Sequence, residues 1–175
     1  MSKTYTDLYR HALNGPTMGT RWSALFLAPS GFEIAPVKAA LQVAVEKVDM
    51  QMSTWKPDSD LMRLNAAPTD TWTPVPEELF HVLQTGLEIG RMSGGAFDIG
   101  MGDAVRAWGF GSEDADPVRI QAALGMKRHA AHEVLEIDHA GRRMRKHAPL
   151  ALDLSGIAKG FGVDSLAETL IGFGI

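Results

Sequence analysis

The residues with the clearest chemical potential lie late in the chain, in Leu150-Ala-Leu-Asp153-Leu-Ser155-Gly156-Ile157-Ala158-Lys159-Gly160-Phe161-Gly162-Val163-Asp164. A short apolar stretch delivers a carboxylate, a Ser-Gly turn follows, and a helix then opens with a lysine in its first turn. Unpaired N–H groups and the positive dipole end at a helix start favour an anion. Lys159 adds a compact charge suited to phosphate. Gly156, Gly160 and Gly162 lack side chains, so a ligand can approach the backbone closely. Plainer roles stand beside these: Ser155 as a helix cap, and Lys159 as an ion-pair partner of Asp153 or Asp164.

Two earlier segments have similar potential. In Gly15-Pro-Thr17-Met18-Gly19-Thr20, glycines flank a soft apolar side chain suited to lie against a flat ring. The plainer reading is a turn entering a strand. In Gly94-Gly95-Ala96-Phe97-Asp98 the backbone is free to bind after a helix, and Phe97 offers a ring; the plainer reading is a helix stop followed by a core Phe. Asp98 needs a partner if it is buried. Together the segments sketch a nucleotide-type ligand: an aromatic or sulfur face, a backbone clamp, and a lysine at a helix start.

Standard motifs fail. Gly100-Met-Gly102, Gly109-Phe-Gly111 and Gly160-Phe-Gly162 all lack the third glycine of a dinucleotide fingerprint, and no phosphate-cradling Gly-x-x-x-x-Gly precedes Lys159. There is no His-Glu-x-x-His, and His129 and His132, three apart with no third ligand nearby, read as a solvated pair.

The elements that position these residues follow from pattern. Thr20 to Ala28 reads as a strand after a turn-like Asn14-Gly15-Pro16, and residues 1–14 as an arm or first strand. A helix opens at Pro36 and carries Val37, Leu41, Ala44, Val48 and Met52 on one face. Asp58-Ser59-Asp60 caps a short helix with Leu61, Met62 and Leu64. Thr73-Pro-Val-Pro76-Glu-Glu78 starts another helix, which Ser93-Gly94-Gly95 stops. Residues 96–111 read as a loop and short helix packed at a site, and Pro117 to Leu124 as a short helix. A hairpin joins Val134–Asp138 to Arg143–Lys146, with the charges of Arg142 to Lys146 turned outward around one Met. Leu150 to Leu154 reads as a strand and Ile157 to Ile171 as a last helix. Helices and short strands without strict alternation imply an α+β fold, a single domain over residues 1–175.

Composition narrows the function classes. The net charge is −4 and no Lys/Arg cluster stands out, which argues against a nucleic-acid partner. With no cysteine, disulfides, thiolate catalysis and iron–sulfur clusters are excluded. No apolar run approaches the ~20 residues of a membrane span. Met1 to Arg10 does not read as a signal peptide, so a cytoplasmic location is expected.

In order along the chain, the segments resemble the ApbE family of FAD:protein FMN transferases. Met18-Gly19-Thr20 matches the family's "MGT" turn. Met52-Ser-Thr-Trp55-Lys-Pro-Asp-Ser59-Asp60-Leu61-Met-Arg-Leu64-Asn65 resembles its "MS.Y...S.L..LN" pattern. Ser93-Gly-Gly-Ala96-Phe97-Asp98 and Trp108-Gly-Phe-Gly111 match "(T/S)GGAFD" and "WGFG", and Leu152 to Asp164 matches "LDLSGIAKGF.VD". The resemblance implies a mostly antiparallel α+β fold that binds FAD and Mg2+ and transfers FMN to a Thr or Ser hydroxyl of a target protein, releasing AMP. The expected partner is a flavin-accepting subunit of a redox complex. It further implies that Met18, Trp55, Ala96, Phe97, Asp98, Asp153 and Lys159 contact FAD, and that the Gly156 carbonyl meets the metal. Trp55 keeps a stacking ring where the family often has Tyr. The family continues beyond the point matching Ile175, so the chain reads as an N-terminal portion, with the catalytic residues and the other metal ligands expected in the absent C-terminal part.

Overall fold

The computed structural model describes residues 7–110, 114–126 and 128–175. Residues 1–6 of the expected arm and Gly111 of the Trp108–Gly111 pattern lie outside them. The fold is α+β, with antiparallel pairing in both sheets, and its contacts divide it into two compact units. No helix among the described residues is long and apolar enough to cross a membrane.

The first unit comprises residues 1–49 and 160–175. Strands β1 (Leu8–Thr17) and β2 (Thr20–Pro29) pair antiparallel from Leu8↔Pro29 to Thr17↔Thr20. Strict alternation turns Trp22, Ala24, Phe26 and Ala28 of β2 inward. They meet Val37, Leu41 and Val45 of α1 (Ile34–Met52) and Leu166 of α7 (Ala158–Gly172) in one apolar core. The buried α1 stripe therefore runs through Val45, with the expected Ala44 at its edge. The expected turn at Asn14–Pro16 is strand. The chain reverses at Met18-Gly19 instead, where φ is +42° and +68°. A two-residue reversal with both φ positive follows the twist of the flanking strands.

The second unit comprises residues 50–159. Its core holds Leu61 and Leu64 of α2 (Asp60–Ala66), Leu79, Leu83 and Leu87 of α3 (Glu77–Met92), and Ile99, Met144, Leu152 and Leu154. Helix α4 (Gly102–Ala107) lies inside the glycine-dense loop, and α5 (Pro117–Gly125) starts at Asp116, whose carboxylate accepts from the Val118 and Arg119 N–H groups. After α6 (Ala131–Val134), strands β4 (Leu135–Asp138) and β5 (Arg143–Lys146) form the expected hairpin. A two-residue strand, β3 (Thr73–Pro74), joins β5 on its other side and gives the order β3-β5-β4. Arg143 and Arg145 face outward over the Trp72 ring at 5.0 and 4.5 Å, as expected of that run. Lys146 does not; it shares the inward face with Met144 and is buried.

The expected strand at Leu150–Leu154 joins no ladder. Its backbone groups are met by a loop and a side chain instead. Gly102 donates to the Ala151 carbonyl at 2.9 Å, Asp153 donates to the Ile99 carbonyl at 2.8 Å, and Asn65 serves Leu152. These bonds take the place of a neighbouring strand at Ala151, Leu152 and Asp153.

Candidate functional site

The site grows from the turn at Asp153. The Asp153 side chain is buried, and its Oδ1 accepts the Ser155 N–H at 2.8 Å, a local carboxylate-to-backbone turn. The Leu154 carbonyl then accepts from Ile157 and Ala158, at 2.9 and 2.8 Å, and α7 starts at Ala158. Ser155 thus sits three residues ahead of the helix and contributes its N–H to the turn, where a capping hydroxyl was expected. Lys159 is the second residue of α7 and is exposed. Among the described residues neither Asp153 nor Asp164 lies within ion-pair distance of it, so its ammonium stands at a helix start without a protein counter-charge.

The glycine-rich stop of α3 is brought to this turn. Gly94 and Gly95 take φ of +61° and +84°, and Gly95 donates back to the Gly90 carbonyl. The Ser93 Oγ accepts the Phe97 N–H at 3.1 Å, which fixes the start of the 97–99 segment. Ile99 then receives the Asp153 N–H, joining the two segments. The Phe97 ring lies on Gly156: a Cβ added there would be 3.1 Å from Phe97 Cε2. A side chain at position 156 would therefore push on the ring by a few tenths of an ångström. Ala96 is exposed and Phe97 half-buried.

Asp98 is half-buried and fully engaged on one oxygen. Its Oδ1 accepts from Gly100 at 2.8 Å and from Ala131 at 3.1 Å, tying the loop to the start of α6. This supplies the partner that sequence reasoning required of a buried acid.

The Trp55 loop is held by two serines. The Ser59 hydroxyl donates to the Ser53 carbonyl at 2.7 Å and accepts the Met62 N–H at 3.1 Å, so it caps α2 while closing the loop. Ser53 Oγ accepts the Trp55 N–H at 3.2 Å. The indole is left 61% exposed, an arrangement that presents a flat ring outward. Helix α2 then carries Asn65, whose amide donates to the Leu152 carbonyl at 2.9 Å and accepts its N–H at 2.8 Å. A continuous hydrogen-bonded path thus runs from the Trp55 loop to the Asp153 turn.

The structure therefore brings together Phe97, Asp98, Asp153 and Gly156, with Ala96 and Lys159 adjoining in sequence and Trp55 linked through α2. Met18 belongs to the first unit, at the tip of the β1–β2 hairpin; its methyl is 3.6 Å from a Cβ built on Gly162 of α7. Ser53 and Asn65 stood in the sequence only as pattern; Ser59 stood there as part of the cap of α2, without its bond to the Ser53 carbonyl. Their signal is polarity at positions flanked by core residues: Ser59 is fully buried beside Leu61 and Leu64. Gln51 was missed altogether. Its Oε1 accepts the Leu79 N–H at 3.1 Å and its Nε2 donates to Glu78 at 3.0 Å, fixing the start of α3.

Among the described residues no three His, Asp or Glu side chains gather as metal ligands. Gly156 offers only a backbone carbonyl, so the residues present do not by themselves make a magnesium site.

The ApbE family model matches residues 18–175. The chain is 36% identical over 165 residues to an FAD:protein FMN transferase of Klebsiella pneumoniae (strain 342), covering 90% of this chain and 47% of that protein. It is 34% identical over 164 residues to the FAD:protein FMN transferase of Escherichia coli (strain K12), covering 90% and 46%. The chain thus spans about half the length of the curated relatives it matches. Among solved structures it is similar to the flavin transferase ApbE from Vibrio cholerae, with TM-score 0.84 and 30% identity over 96% of this chain and 55% of that one. It is also similar to the flavinyl transferase ApbE of Pseudomonas stutzeri, with TM-score 0.79 and 28% identity over 95% and 56%.

Proposed function

The chain belongs to the ApbE family, and we propose that it binds FAD and serves the transfer of FMN from FAD to a Thr or Ser hydroxyl of a target protein, with release of AMP. The observation that carries this reading is the joint between the Phe97–Ile99 segment and the Asp153–Gly156 turn, with an uncompensated Lys159 at the helix start beside it. A phosphate at that helix start would meet the positive dipole end and the ammonium together. Trp55 and Phe97 offer ring faces for the flat parts of the dinucleotide; Met18, in the first unit, joins the FAD contacts through family resemblance alone. Ala96 and Asp98 would line the same ligand through backbone and carboxylate.

In the transfer, the hydroxyl oxygen of the target forms a bond to the phosphorus on the FMN side. The bond from that phosphorus to the bridging oxygen breaks, AMP leaves, and the hydroxyl proton departs. Lys159 would stabilise charge gathering on the phosphoryl oxygens. No group in the described residues is assigned the proton. Magnesium is part of the reading through family resemblance, with the Gly156 carbonyl as its contact. The donor set among the described residues is insufficient to hold that ion alone. The flavin-accepting subunit of a redox complex remains the proposed protein substrate.

Calorimetric titration of the chain with FAD, with and without magnesium, tests this. Saturable binding that weakens in Lys159→Met supports the assignment, and AMP release with an acceptor peptide extends it to transfer. Binding without AMP release would favour a flavin-nucleotide holder, a reading consistent with the single backbone metal contact. Absence of FAD binding would overturn the site as drawn for this chain.

A further inference from the structure

Lys146 is a buried ammonium with no counter-ion among the described residues. Strand alternation puts it on the inward face of β5 with Met144, and it is only 4% exposed. One of its three N–H bonds goes to the Asn65 carbonyl at 2.7 Å, in the last turn of α2. Among the described residues no carboxylate lies within ion-pair distance of its Nζ. A cation at a helix C-terminus accounts for that one bond. It does not account for the other two donors, or for choosing a charge where an apolar side chain would fit the core at lower cost. Burial also pushes the Lys146 ammonium below its usual pKa.

The side chain lines a cavity of about 710 Å³ that is open on one side. Its other charged groups are Asp103, Arg128 and His129. Asp103 and Arg128 neutralise each other, with Nη2 to Oδ2 at 2.6 Å and Nε to Oδ1 at 3.4 Å. His129 faces Glu133 at 3.8 Å. Lys146 is therefore the one unmatched permanent charge among the described lining residues. Thr69 also lines it, and the 148–151 segment and Met126 supply an apolar wall.

We propose that this cavity binds a small aliphatic carboxylate, its charged end on the Lys146 ammonium and its chain against the 148–151 wall. Charge decides the class of anion. One ammonium matches one carboxylate, whereas a phosphate dianion carries one negative charge more than Lys146 balances. This inference is independent of the flavin reading, and FAD binding to the same sample is scored separately.

The test is an NMR titration of the isotope-labelled chain with butyrate, read at the Lys146 ammonium and at the amides of Thr69 and residues 148–151. Saturable shifts at these signals, with a rise in the Lys146 pKa, are expected. Lys146→Met and Lys146→Gln should each weaken butyrate by about tenfold or more, because both remove the charge while Gln keeps a donor for Asn65. Phosphate in place of butyrate should bind more weakly. No saturable shift in the unaltered chain overturns the proposal, whatever the variants do to stability. So does equal binding by a folded charge-free variant, and phosphate binding tighter than butyrate overturns the carboxylate assignment.

Discussion

The side-chain amide of Asn65 pairs with both backbone groups of Leu152, 87 positions later in the chain. One residue thereby does what a neighbouring strand would do, and it does so next to the Asp153 turn. Asn65→Ala is expected to leave the Leu152 N–H and carbonyl without partners. The loss should be about 2–4 kcal/mol of stability, read by urea unfolding. Asn65→Asp keeps the acceptor but turns a carboxylate towards the Leu152 carbonyl, so it should be no milder. An Asp variant as stable as the original would show that the paired geometry is not what holds the segment.

Ser59 and Trp55 should separate stability from binding. Ser59→Ala removes a buried cap and the bond to the Ser53 carbonyl, with an expected cost of about 1–3 kcal/mol. Trp55→Ala removes an exposed ring and should change stability by less than about 0.5 kcal/mol. FAD affinity should fall in the second variant while its melting temperature stays. Unchanged affinity in Trp55→Ala would remove the indole from the ligand site.

The contact between Phe97 and Gly156 gives a paired prediction. Gly156→Ala places a Cβ 3.1 Å from the ring and should displace it, weakening FAD by about tenfold. Phe97→Leu makes room for that methyl. In the double variant part of the loss should return, and a cycle of affinities measures the coupling. Strict additivity would mean the two residues act separately.

The Asp70–His147–Glu136 cluster predicts a pH dependence. Hydrogen bonds to Asp70 (Nδ1, 2.9 Å) and Glu136 (Nε2, 2.7 Å) hold the His147 pKa above the ordinary 6.5. A raised folded-state value means the folded chain holds the proton more tightly than the unfolded one. The stabilisation is thus full below 6.5 and is lost as pH rises through the raised value. Glu136 works in the other direction. Arg145, chiefly by hydrogen bonding, and His147 hold it below 4.5, so its contribution is lost as pH falls through that lowered value. Melting temperatures across about pH 4 to 9 should fall on the alkaline side more for the original chain than for His147→Gln. Parallel curves would remove His147 from the account.

Much of this was legible in sequence because apolar spacing is a direct imprint of burial. Helix α3 and the β4–β5 hairpin stand where the pattern put them, and Ser59 caps α2 as its position required. What escaped was set by distant partners. Leu150–Leu154 has strand composition, but its partners are the 99–102 loop and Asn65, which no local window contains. Lys146 sits in a run of cations whose outward members hide its parity; only the shared face with Met144 marks it as inward. Proline and asparagine made Asn14–Pro16 turn-like although it is strand, whereas reading Gly15–Thr20 as a turn entering a strand agrees with the reversal at Met18-Gly19 just before β2.

That reversal has a consequence for how the hairpin could be improved. Met18 holds φ of +42°, a conformation that asparagine adopts more readily and that costs most other side chains about 1 kcal/mol. Asn-Gly is the pair such a reversal favours. A designer seeking only thermal robustness would replace this methionine first, and the hairpin would gain. The native sequence keeps a thioether in a backbone setting that resists it, which makes position 18 a site where optimising the fold and keeping the side chain pull in opposite directions.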